Sequence, residues 1–162
     1  MNIFLLDQDP TLAAQYHADV HVVKMVLETA QLLSTALHIN SASVPNLYKP
    51  THHNHPCTLW AASSPDHAHY LATLGLALAT EYTHRYGKLH KSTAVIRAAY
   101  DYYGRQESQG ALDFTQFPQC MPPEYRVLGA PVQAYRTYYG SPLKRPLLRY
   151  GKTRAAPAWL AL

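Results

Sequence analysis

Apolar positions recur at spacings of three and four along most of this chain, and strand-like alternation is nearly absent, so the pattern predicts an all-α fold. Asp9-Pro10 opens the first periodic stretch, with a capping side chain followed by a proline suited to a first helical turn. The periodicity then runs to about His38, either as one helix or as two that bend near Ala18–Asp19. A short helical turn is expected around Thr58–Ala62. Ser64-Pro65 repeats the start signal for a helix reaching Tyr86, with Gly87 as its stop. Ser92 is placed to cap a helix to Tyr103, and Ala130-Pro131 opens a shorter one to Tyr139. Residues 2–6 form an apolar run that should be extended and buried. Residues 39–58 and 105–130 read as ordered loops, and the prolines at 142, 146 and 157 make the tail wrap the body. The expectation is a single compact helical domain over 1–162 with about four to five helices, long ordered loops and a basic, proline-containing segment 121–162 packed on it.

One interruption in this pattern carries the candidate chemistry. Nearly every position from 20 to 37 is apolar or small apart from His21, Lys24, Glu28 and Gln31, and with His17 these fall on one face of a continuous helix. A helix this apolar should be enclosed, which leaves the polar stripe facing a cleft. Two imidazoles, an amine and a carboxylate are groups that exchange protons near neutral pH. Asp19, beside the possible bend, can turn toward the same cleft. His17, Asp19, His21, Lys24 and Glu28 are therefore the candidate catalytic residues. The plain alternative is a solvated face with a Lys24–Glu28 pair worth ~0.3–0.5 kcal/mol.

Charge changes the picture because it is uneven. Residues 121–162 carry seven lysines and arginines against one acid, Glu124, whereas the rest of the chain holds seven bases and nine acids. A basic tail on a near-neutral body points to a polyanion, with DNA or a nucleotide the first candidate, or else serves solubility alone. The chain has 13 tyrosines and only 3 phenylalanines, a balance that suits wet clefts and base stacking as well as half-buried helices. Two cysteines, Cys57 and Cys120, do not make a disulfide framework. With no apolar run long enough to span a bilayer and no leader-like start, a cytoplasmic location is expected.

Two further clusters supply candidate substrate contacts. The segment Lys49-Pro50-Thr51-His52-His53-Asn54-His55-Pro56-Cys57 is stiffened by proline at both ends, and Lys49, Thr51, His52, Asn54 and His55 suit phosphate or base recognition. The loop should fold onto the first long helix, bringing His52 or His55 within hydrogen-bonding reach of the stripe. A zinc set of His17, His21, His55 and Cys57 is conceivable, but no CxxC or HExxH pattern supports it and Lys24 would sit beside the ion, so no metal is assigned. Arg85, Tyr86 and Lys88 can form a phosphate-binding corner, or simply offset a helix dipole. No Walker loop, Rossmann glycine pattern, nucleophile elbow or kinase signature is present, and no cofactor is expected.

Several segments together resemble a small family of uncharacterised proteins common in tailed-phage genomes. They are Met1–Asp7 with Asp9-Pro10, the run from His17 to Met25 continuing to Glu28, Thr51–Cys57, Tyr86-Gly87-Lys88, and Ala134-Tyr135-Arg136-Thr137-Tyr138-Tyr139. That resemblance implies a phage or prophage source within a bacterial host. The chain also resembles the pyrimidine-dimer DNA glycosylases, small all-α enzymes, through Ala14-Gln15-Tyr16-His17, Asn54-His55-Pro56, a long helix and Arg149-Tyr150-Gly151-Lys152. By position this second resemblance implies that Asp19 stands near the catalytic carboxylate, and His17 and His21 near arginines. It also implies a nucleophilic amine on a small residue exposed by removal of the initiator methionine. Residue 2 here is the larger Asn2, which discourages that removal, so Lys24 or water stands as an alternative nucleophile.

N-glycosidic chemistry needs a carboxylate beside the sugar C1′, an attacking amine or water, and a base taken out of the stack. Asp19 or Glu28 supplies the first in this reading. Arg136 and Tyr139 join the substrate contacts, with Tyr135, Tyr138, Tyr139 and Trp159 as stacking surfaces. The expected function is a phage-type enzyme acting on DNA or nucleotides, of DNA N-glycosylase type. A non-catalytic DNA-binding or host-interaction protein and a zinc-binding hydrolase are the alternatives.

Overall fold

The computed structural model describes residues 1–160. Its elements are α1 (Pro10–Tyr16), α2 (Asp19–Ile39), α3 (Pro56–Ala62), α4 (Pro65–Tyr86), α5 (Thr93–Tyr103) and α6 (Pro131–Tyr139). Single 3-10 turns lie at Phe114–Gln116, Pro123–Tyr125 and Arg145–Leu147, and no strand occurs among the described residues. The class is all-helical as the periodicity predicts. The count exceeds four to five because the first periodic stretch breaks in two and the turn after the histidine-rich loop is a full helix.

Local chemistry sets the boundaries. Asp9 accepts from the N–H groups of Thr11 and Leu12, and Ser64 from that of Asp66, each ahead of a proline at the first helical position. His55 caps α3 in the same way, accepting from the Cys57 N–H at 3.2 Å. Gly87 stops α4 in the left-handed region at φ 65°, where a side chain would be strained. Ser92 does not cap α5; its hydroxyl pairs with that of Tyr48 at 3.0 Å.

α2 is the centre of the molecule, with α3, α4 and α5 packed on it and α1 on α4. Gly75 lets α4 approach α2 closely, since a Cβ there would come within 2.5 Å of Thr29 Cγ2. The N-terminal run Ile3-Phe4-Leu5-Leu6 is buried in this core. The tail is bound to the body at many points. The Asp19 N–H donates to the Arg149 carbonyl, the Tyr150 hydroxyl donates to the Tyr16 carbonyl, and Leu148 and Leu160 are buried. No described helix is long and apolar enough to cross a membrane.

Candidate functional site

Burial of residues 3–6 fixes where the chain before them must lie, and that place is against the third turn of α2. The Asn2 N–H donates to Glu28 Oε2 at 2.9 Å, and the α-amino group of Met1 stands 4.0 Å from the same oxygen. Lys24 Nζ, one turn earlier on α2, lies 3.3 Å from Glu28 Oε1. Glu28 itself is only 8% exposed. The Asn2 side chain is clamped in turn. Its amide donates to the Cys120 carbonyl at 3.0 Å, and its Oδ1 accepts from the Ile3 N–H at 2.8 Å. The Tyr135 hydroxyl accepts from the Cys120 N–H at 3.2 Å and holds its one proton between Asn2 Oδ1 and the Pro118 carbonyl, both at 2.8 Å.

These groups form one end of a cleft of roughly 460 Å³, lined also by Phe4, Val20, His21, Tyr138, Lys144 and Leu147. Lys144 Nζ sits 5.0 Å from the Phe4 ring centre and 5.2 Å from that of Tyr138, within cation–π range. Burial, then the charge of Lys24, lowers the Lys144 ammonium from its ordinary value, while Glu28 opposes the shift. A larger cleft of roughly 630 Å³ lies beside the start of α6, but its arginine, Arg136, is already paired with Asp7 at 2.8 Å and bound to the Leu6 carbonyl.

The two stripe histidines are buried hydrogen-bonding groups that stay neutral. His21 Nδ1 meets the Tyr139 hydroxyl at 2.6 Å, and that hydroxyl also accepts from the Ala18 N–H. His17 ends α1 and lies outside α2, with Nδ1 at 2.6 Å from the Ala13 carbonyl. Burial above all, then His17 and the two lysines, holds His21 down to about 3, and burial holds His17 down to about 4, from an ordinary 6.5. The sign follows directly. Below pH 6.5 the unfolded chain takes up these protons and the folded chain does not, so stability present above 6.5 is lost as pH falls toward 4. Urea unfolding measured from pH 7 to pH 4 should show stability decreasing with a slope approaching two protons, on the order of 2–3 kcal/mol per pH unit. A flat profile over that window would show the imidazoles to be solvated.

Asp19 and Arg85 belong to a separate knot. Arg85 Nη1 lies 3.0 Å from Asp19 Oδ1 and donates to the His17 carbonyl. Its Nε lies 2.7 Å from Glu81 Oε1, and its Nη2 donates to the Gln15 carbonyl. Asp19 Oδ2 accepts from the Gly151 N–H, Arg154 doubly contacts Glu81, and the Tyr86 hydroxyl donates to the Asp19 carbonyl. Position along the chain makes Asp19 the carboxylate nearest the expected one. The fold instead sets Glu28 beside the amine, because residues 3–6 run along α2 as far as its third turn.

The histidine-rich loop does fold onto α2, through the Thr51 N–H donating to Thr35 Oγ1 at 3.1 Å and the Tyr48 N–H donating to Ser34 Oγ at 3.1 Å. His55 spends Nδ1 on the Cys57 N–H and stands near enough to the N-terminal amine for that charge to join burial in lowering its imidazole, so it reaches the site through residue 1 and not through the stripe. His52 stands exposed at φ 52°, held by a 2.8 Å bond between its Nδ1 and Thr51 Oγ1. His53, Asn54, Lys49 and Lys88 are exposed and outside the cleft lining. Of the four aromatic residues expected to stack on a base, Tyr138 alone lines the cleft. Tyr135 and Tyr139 are fully buried, and Trp159 packs against Tyr16 and Tyr139. The zinc set of His17, His21, His55 and Cys57 does not assemble either: among the described residues His55 and Cys57 come together with Cys120, and His17 and His21 are not part of that group. Lys144 and Cys120 were not singled out as catalytic or binding residues by any sequence signal beyond the basic tail and the cysteine count, whereas Tyr138 was among the expected stacking surfaces.

A family model described as pyrimidine dimer DNA glycosylase matches residues 1–94. No curated protein matches the chain, and no solved structure does.

Proposed function

This chain belongs to the pyrimidine dimer DNA glycosylase family, and from that premise we propose that it releases a damaged pyrimidine from DNA at the cleft floored by Glu28. The observation that carries the reading is the enclosure of Glu28 beside an amino group, with Asn2 N at 2.9 Å and Met1 N at 4.0 Å. A nucleotide extruded from the duplex brings C1′ of its sugar to this end of the cleft. The carboxylate stabilises the positive charge that grows at C1′ as the glycosidic bond breaks and the base leaves with the bonding electrons. The amine in its neutral form attacks C1′, Glu28 takes the proton it sheds and returns it to O4′ as the C1′–O4′ bond breaks, and the nitrogen lone pair closes the Schiff base between protein and sugar. With Met1 in place the amine is that of Met1. Its removal exposes the amine of Asn2, whose nitrogen already touches the carboxylate. Lys24 and Lys144 flank Glu28 and suit the phosphates on either side, and Tyr138 offers a ring at the cleft wall. His21 contributes a neutral imidazole held in place by Tyr139. Asp19, Arg85 and His17 hold the elements that carry the site.

The test is glycosidic-bond cleavage in duplex DNA containing a pyrimidine dimer, read as base release after the dimer is photoreversed, with borohydride added to trap the Schiff base and mass mapping of the adduct. The adduct is expected on the α-amino group, with Lys24 unmodified. Base release without any trapped adduct would make water the nucleophile. Binding of DNA with no release from damaged, modified or normal duplex would overturn the enzymatic reading in favour of a DNA-binding protein.

A further inference from the structure

Directly beneath residue 2, the start of α3 and the loop before the Pro123–Tyr125 turn bring together one imidazole and two thiols. Cys57 Sγ and Cys120 Sγ are 3.6 Å apart, both unoxidised, and a ligand atom of His55 completes a group whose members all lie within 4.8 Å of one another. We propose that His55, Cys57 and Cys120 form a binding site for a thiophilic divalent cation of the zinc class, with a fourth position open to the solvent side. This inference is independent of the glycosylase reading.

The spacing favours a metal. A tetrahedral ion with bonds of about 2.3 Å to sulfur and about 2.0 Å to nitrogen sets its sulfurs roughly 3.8 Å apart and sulfur from nitrogen roughly 3.5 Å. The two thiols already stand at that separation, and the imidazole needs a displacement of about 1 Å. Such a shift is confined to the ring, so the Thr58 and Leu59 N–H bonds to the His55 carbonyl stay in place. One ring nitrogen of His55 becomes the ligand; Nδ1 now accepts the 3.2 Å bond from the Cys57 N–H. The ion has an entry path, since His55 is partly exposed and Cys120 lines the Glu28 cleft. The donor set is soft and selects zinc, cadmium or cobalt(II) over magnesium or calcium. The exchange balances as two thiols and one cation giving two metal–thiolate bonds and two released protons.

A site here bears on residue 2. The Cys120 carbonyl accepts from the Asn2 amide, and its N–H reaches Asn2 through the Tyr135 hydroxyl, so an ion on Cys120 stiffens the floor under the backbone that touches Glu28.

The experiment is a titration of the reduced, chelator-stripped full chain with cobalt(II) and then zinc. One equivalent of cobalt should produce a sulfur-to-cobalt charge-transfer band in the near ultraviolet and visible bands of tetrahedral intensity, which zinc then abolishes. Proton release should approach two per ion. Cys120→Ala, at a partly exposed position, should fold normally and lose affinity on the order of 10²-fold together with most of the charge-transfer band, as removal of a direct ligand costs at least what loss of an outer partner does. Cys57→Ser reads the buried ligand if it folds. Absence of the charge-transfer band would overturn the proposal, as would binding left unchanged in Cys120→Ala, which would place the ion on surface histidines. A Cys57–Cys120 disulfide in protein isolated under reducing conditions would overturn it as well.

Discussion

Glu28→Gln should lower single-turnover base release by on the order of 10²-fold or more while leaving the fold intact. The substitution keeps the shape of the side chain and an oxygen to accept from the Asn2 N–H, so the clamp on residue 2 survives. It removes the negative charge that offsets the developing cation at C1′, and it removes the acceptor for the proton shed by the amine. Enclosure magnifies both losses, because little water reaches the carboxylate to substitute for it. DNA affinity should stay the same or rise, since a carboxylate between Lys24 and Lys144 repels phosphates. That split, turnover lost and binding kept, is what a structural role would not produce. A purely structural Glu28 would show a lower melting temperature with base release unchanged, and that outcome would sink the assignment.

Arg85→Met is expected to have the largest effect on stability. The Arg85 side chain has no solvent exposure and joins α1, α2 and α4 at one point, through the Gln15 and His17 carbonyls, Asp19 and Glu81. Methionine fills the volume but leaves two carboxylates short of a partner and two carbonyls short of a donor inside the fold. Breaking one side of a buried charge pair costs about 3–5 kcal/mol, which corresponds to a fall in Tm of roughly 10 °C for a chain of this size. The acid limb should move as well. Burial works to raise the Glu81 carboxyl, and the hydrogen bonds from Arg154 and Arg85 with their charges overcome it and hold Glu81 below its ordinary value. Its contribution is therefore present above the ordinary carboxylate pKa and lost as pH falls through the lower folded value. Without Arg85 that loss should begin at higher pH. Base release measured well below the new Tm should change little, because Arg85 does not line the Glu28 cleft. A variant with wild-type Tm and no turnover would instead make Arg85 part of the chemistry.

The helices and their limits were written locally. A side chain that caps the next N–H groups, a proline that fits only a first turn and a glycine that relieves a left-handed end act over three or four residues, so Asp9-Pro10, Ser64-Pro65 and Gly87 read correctly in isolation. The unusual character of α2 was legible for the same reason. Glu28 and Lys24 stand out because their neighbours are apolar, and one turn of helix puts them together. His17 was misplaced on that stripe because Ala18 interrupts the helix before α2 begins.

What each polar group touches was decided by tertiary structure. Asp19 and Glu28 are equally acidic in sequence, yet one is bound by Arg85, 66 residues away, and the other meets Asn2, 26 residues away. Tyr139 looked like a stacking surface and is a buried partner for His21, 118 residues away. Lys144 carried no local signal at all, since a lysine between leucines and prolines in a basic tail acquires meaning only when the tail sets it against Phe4 and Tyr138. Periodicity records which face of a helix is apolar, and the chain alone determined that. Which distant backbone reaches that face depends on how buried segments such as residues 3–6 thread the core, and close packing in three dimensions sets that path.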